Sequence, residues 1–206
     1  MDINIVIDEC IYLTYKEEIM KLNARLFKTP YFYDIKNYKV PFDLDGVKTF
    51  LMYADDVIIH STMTFIDYVN ILLILDFLKA NHYKNKVTVK YYAIDNLPID
   101  KAIISTKILN DGEYDMVTSM VDDLKNERPL NDIINLPGSI GFNNFYNMLV
   151  DSESFILCLD DIIDENDGDI DLISSYLENK YCNMGLDKNY YEDYLRKHMD
   201  NNENEF

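Results

Sequence analysis

Short apolar runs rich in β-branched residues alternate with longer segments of helical periodicity, and this alternation constrains the fold of the chain most strongly. The runs comprise residues 3–7, 57–60, 87–94 and 102–109. Segments with helical spacing or continuous apolar character lie between them, at 12–27, 44–53 and 65–78. Strands of this length separated by helices are typical of βαβ units. The sequence therefore predicts an α/β fold: a small Rossmann-like core with a mostly parallel sheet over residues 1–110.

The chain after residue 110 has the patterns of helices only. Asn110 is followed three residues later by Glu113, the spacing of a capping box, and residues 110–126 continue with a helical apolar stripe. Further helices are predicted at 142–150, 152–164, 171–181 and 187–199. We therefore expect a helical region, 111–200, packed on the core, and a frayed tail at 201–206.

Negative charge is concentrated in this second region. The chain has 37 acidic and 19 basic residues, a net charge of −18. Residues 1–100 contribute −3 and residues 101–206 contribute −15, and the segment 129–179 holds 11 acids and no Lys or Arg. Such a balance excludes a protein that binds phosphate backbones through bulk positive charge, and it argues against adsorption to an anionic membrane.

The outer faces of the later helices are the predicted partner-binding surface. Crowded carboxylates cost a few tenths of a kcal/mol per neighbouring pair on a helix. Solubility explains some of this charge, whereas imitation of a row of phosphates for a basic partner explains why cations are excluded. The candidate contact residues are Glu153, Asp160, Asp161, Asp164, Glu165, Asp167, Asp169 and Asp171.

Motifs for metals and cofactors are missing from the sequence. An EF-hand alignment that places Gly168 at its sixth position leaves Ile163 and Ser174 at positions that require oxygen ligands, so we expect a solvated turn there instead. The chain has neither a G-x-G-x-x-G nor a Walker A motif, and its three cysteines are far apart. We predict no metal, no cofactor, and reduced thiols in a cytoplasmic protein.

Polar residues at the ends of the predicted strands offer an alternative, enzymatic site. Ligands of open parallel sheets bind beyond the carboxyl ends of the strands. Asp8, His60 and Asp95 follow or end three of the predicted strands, and a carboxylate beside an imidazole can act as an acid–base pair. A lone histidine at a strand end also fits a structural role. A small α/β enzyme or nucleotide-binding protein is therefore the first alternative.

Two aromatic clusters supply further interpretations. Tyrosine presents a large contact area and can stack on unpaired bases. The first cluster lies among lysines and is the predicted place for single-stranded RNA: Lys28, Tyr31, Phe32, Tyr33, Lys36, Tyr38 and Lys39. The second has acidic neighbours, which favours either a protein contact or the edge of a core: Tyr176, Tyr181, Tyr190, Tyr191 and Tyr194.

The overall composition indicates an origin and a type of partner. Lys, Ile, Asn, Asp and Tyr are abundant, whereas the chain has three Arg, six Gly, five Pro and no Trp, a balance that AT-rich codons favour. With its acidic second half, the chain resembles small acidic accessory proteins of low-GC bacteriophages, some of which block nucleic-acid-targeting defences such as CRISPR complexes. The resemblance implies a non-enzymatic inhibitor that obstructs a basic site of a bacterial host protein or nucleoprotein complex.

Overall fold

The computed structural model describes residues 1–22, 24–26, 51, 53–93, 97–125, 145–182 and 186–203. Within it the chain divides into two compact units, Met1–Asn143 and Asn144–Phe206. The predicted helix at 44–53 lies almost wholly outside the described residues.

A five-stranded sheet forms the centre of the first unit. Its strands are β1 (Asp2–Val6), β2 (Arg25–Leu26), β3 (Asp56–Ser61), β4 (Lys86–Tyr92) and β5 (Ile103–Leu109), in the order β2-β1-β3-β4-β5. All neighbouring pairs are parallel except β4 and β5, which are antiparallel. The predicted α/β class and mostly parallel sheet are confirmed. The fourth predicted strand is also present, as β5.

Two short helices, rather than one long helix, follow β1. Helix α1 spans Glu9–Thr14 and α2 spans Lys16–Met20, with Tyr15 at the break. The prediction of a single helix over 12–27 is wrong, because the chain ends α2 at Met20 and forms β2 parallel to β1. Ile11, Tyr15 and Ile19 pack together with Val6 and Tyr92, so this pair of helices covers one face of the sheet.

The opposite face is covered by α3 (Phe65–Ala80), which is buried on most sides as its continuous apolar sequence predicts. Its Tyr68 ring contacts Tyr91 of β4 edge to face, with centroids 6.3 Å apart. The short helix α4 (Ile99–Ala102) leads into β5. Helix α5 (Asp111–Lys125) then returns to α3, where the Tyr114 hydroxyl donates to the Leu75 carbonyl at 3.0 Å.

The capping box predicted at the start of α5 is present. Asn110 and Glu113 exchange hydrogen bonds of 3.0 Å, each side chain accepting from the other residue's backbone N–H. The packing of α5 on α3 includes it in the first unit. The boundary of the units thus differs from residue 110, the boundary predicted from the change in pattern, because α5 shares the apolar layer of α3.

The second unit contains helices α6 (Phe145–Glu165), α7 (Ile170–Lys180) and α8 (Lys188–Glu203). One continuous helix, α6, replaces the two that were predicted at 142–150 and 152–164. Helix α8 extends to Glu203, four residues beyond the helix end predicted at residue 199.

Aromatic side chains build the core of this second unit. The buried ring of Phe155 lies within 6 Å, centroid to centroid, of the rings of Tyr181, Tyr191 and Tyr194. Tyr181, Tyr190 and Tyr191 are buried, so these three belong to the core rather than to a partner surface, whereas Tyr176 is 46% exposed. A Gly168 with φ of 70° forms the turn between α6 and α7.

Candidate functional site

The carboxyl ends of β1 and β3 form the topological switch point of the sheet. The chain moves from β1 to β2 on one side and from β3 to β4 on the other, so the following connections diverge at this edge. Crevices for ligands in open α/β sheets form at such points. Asp8 follows β1 here, and Ser61 and Thr62 lie at the end of β3.

Two carboxyl groups meet the same threonine at this edge. Asp67, in the first turn of α3, accepts hydrogen bonds through Oδ2 from the Thr62 amide at 2.5 Å, the Thr62 hydroxyl at 2.8 Å and the Ser61 hydroxyl at 3.1 Å. The Thr62 hydroxyl oxygen also lies 3.5 Å from Oδ2 of Asp8. One threonine hydroxyl therefore stands between the two carboxyl groups.

Burial makes both carboxyl groups harder to ionise. It raises the pKa of Asp67 to about 7, the negative charge of Asp8 adds to this rise, and the hydrogen bonds from Thr62 and Ser61 oppose it. Burial also raises the pKa of Asp8, against the lowering effect of the N–H groups of α1. Burial and the closeness of the two carboxyl groups thus both favour the neutral form.

His60 does not join this pair. Its ring is 1% exposed and lies on the α1–α2 face of the sheet, with Nδ1 2.7 Å from the Tyr92 hydroxyl and Nε2 3.0 Å from Oδ1 of Asn4. Burial, helped by the charge of Lys90, lowers the pKa of His60 to about 4. The predicted Asp8–His60 acid–base pair is thus not assembled, and Asp95 lies outside the described residues.

Asp67 and Thr62 are not among the site residues predicted from the sequence. A signal was available in Thr64-Phe65-Ile66-Asp67, which has the [ST]-x-x-[DE] spacing of a helix start. In the structure Thr64 is the N-cap of α3, and its Oγ1 accepts from the Asp67 amide at 3.3 Å. The pattern predicts a helix terminus, but not that the carboxylate turns back onto β3.

The carboxyl ends of β1 and β3 present carboxylates at positions where a phosphate-binding site would present N–H donors. Oδ1 of Asp8 accepts from the Ile11 amide at 2.8 Å and so occupies the start of α1. Phosphate sites at helix N-termini need those N–H groups for the ligand. This geometry disfavours a nucleotide-binding protein and leaves an acid–base enzyme as the alternative function.

A second candidate region is the acidic turn, which we define as residues 160–171, the end of α6, the following turn and the start of α7. Every acidic side chain in it is exposed, and the set includes all the predicted contact residues except Glu153, whose side chain lies outside the described part of the chain: Asp160, Asp161, Asp164, Glu165, Asp167, Asp169 and Asp171.

Among the described residues, one lysine and one histidine contact the two ends of the acidic turn. Lys188 Nζ lies 2.5 Å from Oδ1 of Asp171, and His198 Nε2 lies 2.7 Å from Oδ1 of Asp160. Asp169 caps α7 by accepting from the Leu172 amide at 3.2 Å. The remaining four acids form no ion pair with any residue that the structure describes: Asp161, Asp164, Glu165 and Asp167.

Three of these acids are placed against the dipole of their own helix. Asp161, Asp164 and Glu165 lie at the C-terminal end of α6, where the carbonyl ends carry partial negative charge, and the last turn has no basic residue. Leu157, one turn before Asp161, is 81% exposed. The end of α6 thus combines charge that disfavours the helix with an apolar side chain left in water.

The predicted RNA-binding segment, residues 28–39, lies outside the described residues. RNA binding there stays a prediction. Nucleic acid that copurifies with the protein, seen as a raised ratio of absorbance at 260 nm to 280 nm, checks it.

The described residues include no group of three or more His, Cys, Asp or Glu side chains that could hold a metal ion. None of the described helices is both long and apolar enough to cross a bilayer. The fold places the chain in the α/β class, with a second unit that is helical and acidic. No protein-family model matches the sequence, and no match was found among curated proteins or solved structures.

Proposed function

We propose that this chain is a non-enzymatic binding protein of the bacterial cytoplasm whose acidic turn docks on a basic site of a partner. The observation that supports it best is the group of four exposed carboxylates without a described ion pair, three of them where they weaken α6. Selection for stability alone favours cations at a helix C-terminus. A role in binding a partner explains why the chain keeps carboxylates that destabilise the end of α6.

The exposed apolar side chains beside this charge favour a protein partner over simple solubility. Leu157 is 81% exposed next to Asp160 and Asp161, and Leu172 is 54% exposed just after Asp171. Protein interfaces combine apolar anchors with complementary charge, which speeds encounter and fixes orientation. Solubility requires the carboxylates but gains nothing from the leucines.

A basic groove that normally holds nucleic acid is the partner site that fits this surface. Carboxylates at successive positions of a helix end and turn imitate the charge of neighbouring phosphates, so the protein would occupy the groove and exclude its nucleic acid. This chemistry agrees with the proposed origin as a phage-encoded, anti-CRISPR-like inhibitor of a bacterial nucleic-acid-handling or defence complex.

Capture from a bacterial lysate with matched charge variants tests the proposal. The test variant D161N/D164N/D167N removes three acids of the acidic turn, and the control variant E17Q/E18Q/D100N removes three exposed acids of the first unit. Both have the same net charge. We expect the wild type and the control to retain a common basic protein that the test variant releases.

Competition then identifies the groove. The captured partner, once purified, should bind a labelled DNA or RNA fragment, and the wild-type protein should displace that fragment whereas D161N/D164N/D167N should not. Equal capture by all three proteins, or displacement by the test variant, contradicts the proposal.

The pair Asp8 and Asp67 favours a second candidate function, an acid–base enzyme acting at the switch point. A carboxyl with a pKa near 7 beside a second carboxyl can give and take protons at neutral pH. A library of small polar metabolites, screened by the shift in melting temperature, tests it. A ligand that stabilises the wild type but not D8N or D67N would support this function.

A further inference from the structure

The outer edge of the sheet at β5 is long and carries exposed apolar side chains. In the described sheet β5 pairs only with β4 and spans seven residues, whereas the opposite edge strand β2 spans two. Natural proteins shorten, charge or cover such edges, because their free N–H and C=O groups can pair with another strand. At β5 none of these devices operates within the described residues.

The side chains along β5 alternate in exposure. Ile104 and Ile108 are 55% and 54% exposed, and Thr106 between them is exposed as well. Lys107 does not protect this edge with its charge, because its side chain lies on the other face of the sheet and pairs with Glu113 at 2.8 Å. One face of the edge thus presents an Ile-x-Thr-x-Ile pattern to solvent.

This pattern is self-complementary about its centre. A two-fold axis through Thr106 of two antiparallel strands places Ile104 of one copy opposite Ile108 of the other, twice, and Thr106 opposite Thr106. The same axis brings Lys101, just before the strand, towards Asp111 of the second copy, just after it. Both are exposed, and neither forms an ion pair with another described residue.

We propose that β5 pairs in antiparallel register with β5 of a second copy of this chain, which joins the two sheets into one. The apolar Ile104–Ile108 contacts and the two Lys101–Asp111 pairs select a copy of the same chain over an unrelated strand. The acidic charge does not oppose this contact strongly, since β5 itself holds one Lys and no acid, and residues 1–143 carry only −6 of the net −18.

Mass measurement by analytical ultracentrifugation of the full chain tests the dimer. We expect a concentration-dependent species of twice the 24.3 kDa chain mass for the wild type. I104K/I108K should be monomeric. The control L13K/M20K adds the same charge at exposed apolar positions of α1 and α2, and it should still dimerise. A wild-type monomer at every concentration, or a dimer that I104K/I108K leaves intact, overturns the proposal.

A cysteine at the axis tests the register independently of the lysine variants. In a C10S/C182S background, which removes two exposed thiols, T106C should form a disulfide-linked dimer under mild oxidation. T14C, at an exposed position on α1, should not. Failure of T106C to cross-link in a folded sample overturns the register. High salt should leave the dimer intact, whereas it should weaken docking through the acidic turn, so the two proposals fail separately.

Discussion

At the scale of single residues, Asp67 and His60 are both buried, and burial shifts their protonation in opposite directions. Asp67 has its pKa raised from 3.8 to about 7, and His60 has its pKa lowered from 6.5 to about 4. In each case the low-dielectric surroundings favour the neutral form. Their contributions to the pH dependence of stability therefore oppose each other over nearly the same range.

Whether each group makes stability rise or fall with pH depends on which state, folded or unfolded, binds more protons. Between about pH 4 and 7 the folded state holds the Asp67 proton that the unfolded state has lost, so this contribution to stability falls as the pH rises. Between about pH 4 and 6.5 the unfolded state holds the His60 proton, so this contribution rises with pH.

Asp67→Asn should therefore remove one contribution that opposes that of His60, while the raised pKa of Asp8 still supplies another. We expect the free energy of unfolding of D67N to rise more steeply between about pH 4 and 7 than that of the wild type. Urea denaturation at a series of pH values measures it, with D100N as an exposed control. A D67N profile that matches the wild type would show that Asp67 is ionised throughout.

His60→Ala should lower stability rather than report on catalysis. The substitution leaves a cavity and removes the partner of the Tyr92 hydroxyl and of Asn4 Oδ1, and one unsatisfied buried group costs about 1–3 kcal/mol. We expect the free energy of unfolding to fall by about 2 kcal/mol or more. The exposed His82→Asn variant should change it by less than about 0.5 kcal/mol. Equal losses would contradict the structural role of His60.

At the scale of helices and strands, α6 has its acids at the end where a helix dipole disfavours them. D161N/D164N should raise the free energy of unfolding by about 0.3 kcal/mol per residue at low salt, since each removes an unfavourable interaction with the C-terminus of α6. Thermal unfolding at low and high salt measures the difference, which should shrink as salt screens it. A lower free energy of unfolding for D161N/D164N would mean that these carboxylates stabilise the fold.

The strands and the long helices could be predicted from the sequence because their signals are local. Residues 3–7, 57–60 and 65–78 carry periodicity that packing on both faces of the sheet reinforces. The break at Tyr15 and the short β2 could not, since they depend on pairing with β1 rather than on local preference. The Asp8–Thr62 contact joins residues 54 positions apart, which no local pattern shows.

At the scale of the whole molecule, the asymmetry of charge has a structural counterpart. Among the described residues of the second unit, Lys188 and His198 contact the two ends of the acidic turn, and its middle keeps four acids without a described ion pair. The charge is thus concentrated in one exposed segment of that unit. Such a segment can attract a basic partner over a distance set by the Debye length, about 10 Å at 0.1 M salt.

The salt dependence of partner affinity tests the docking role most directly. With the captured partner purified, binding is titrated from about 50 mM to about 500 mM salt for the wild type, D161N/D164N/D167N and E17Q/E18Q/D100N. We predict that wild-type and control affinities fall steeply with salt, and that the test variant binds at least about tenfold more weakly at low salt, with a shallower slope. Equal affinities with the same salt dependence for all three proteins would contradict docking through the acidic turn.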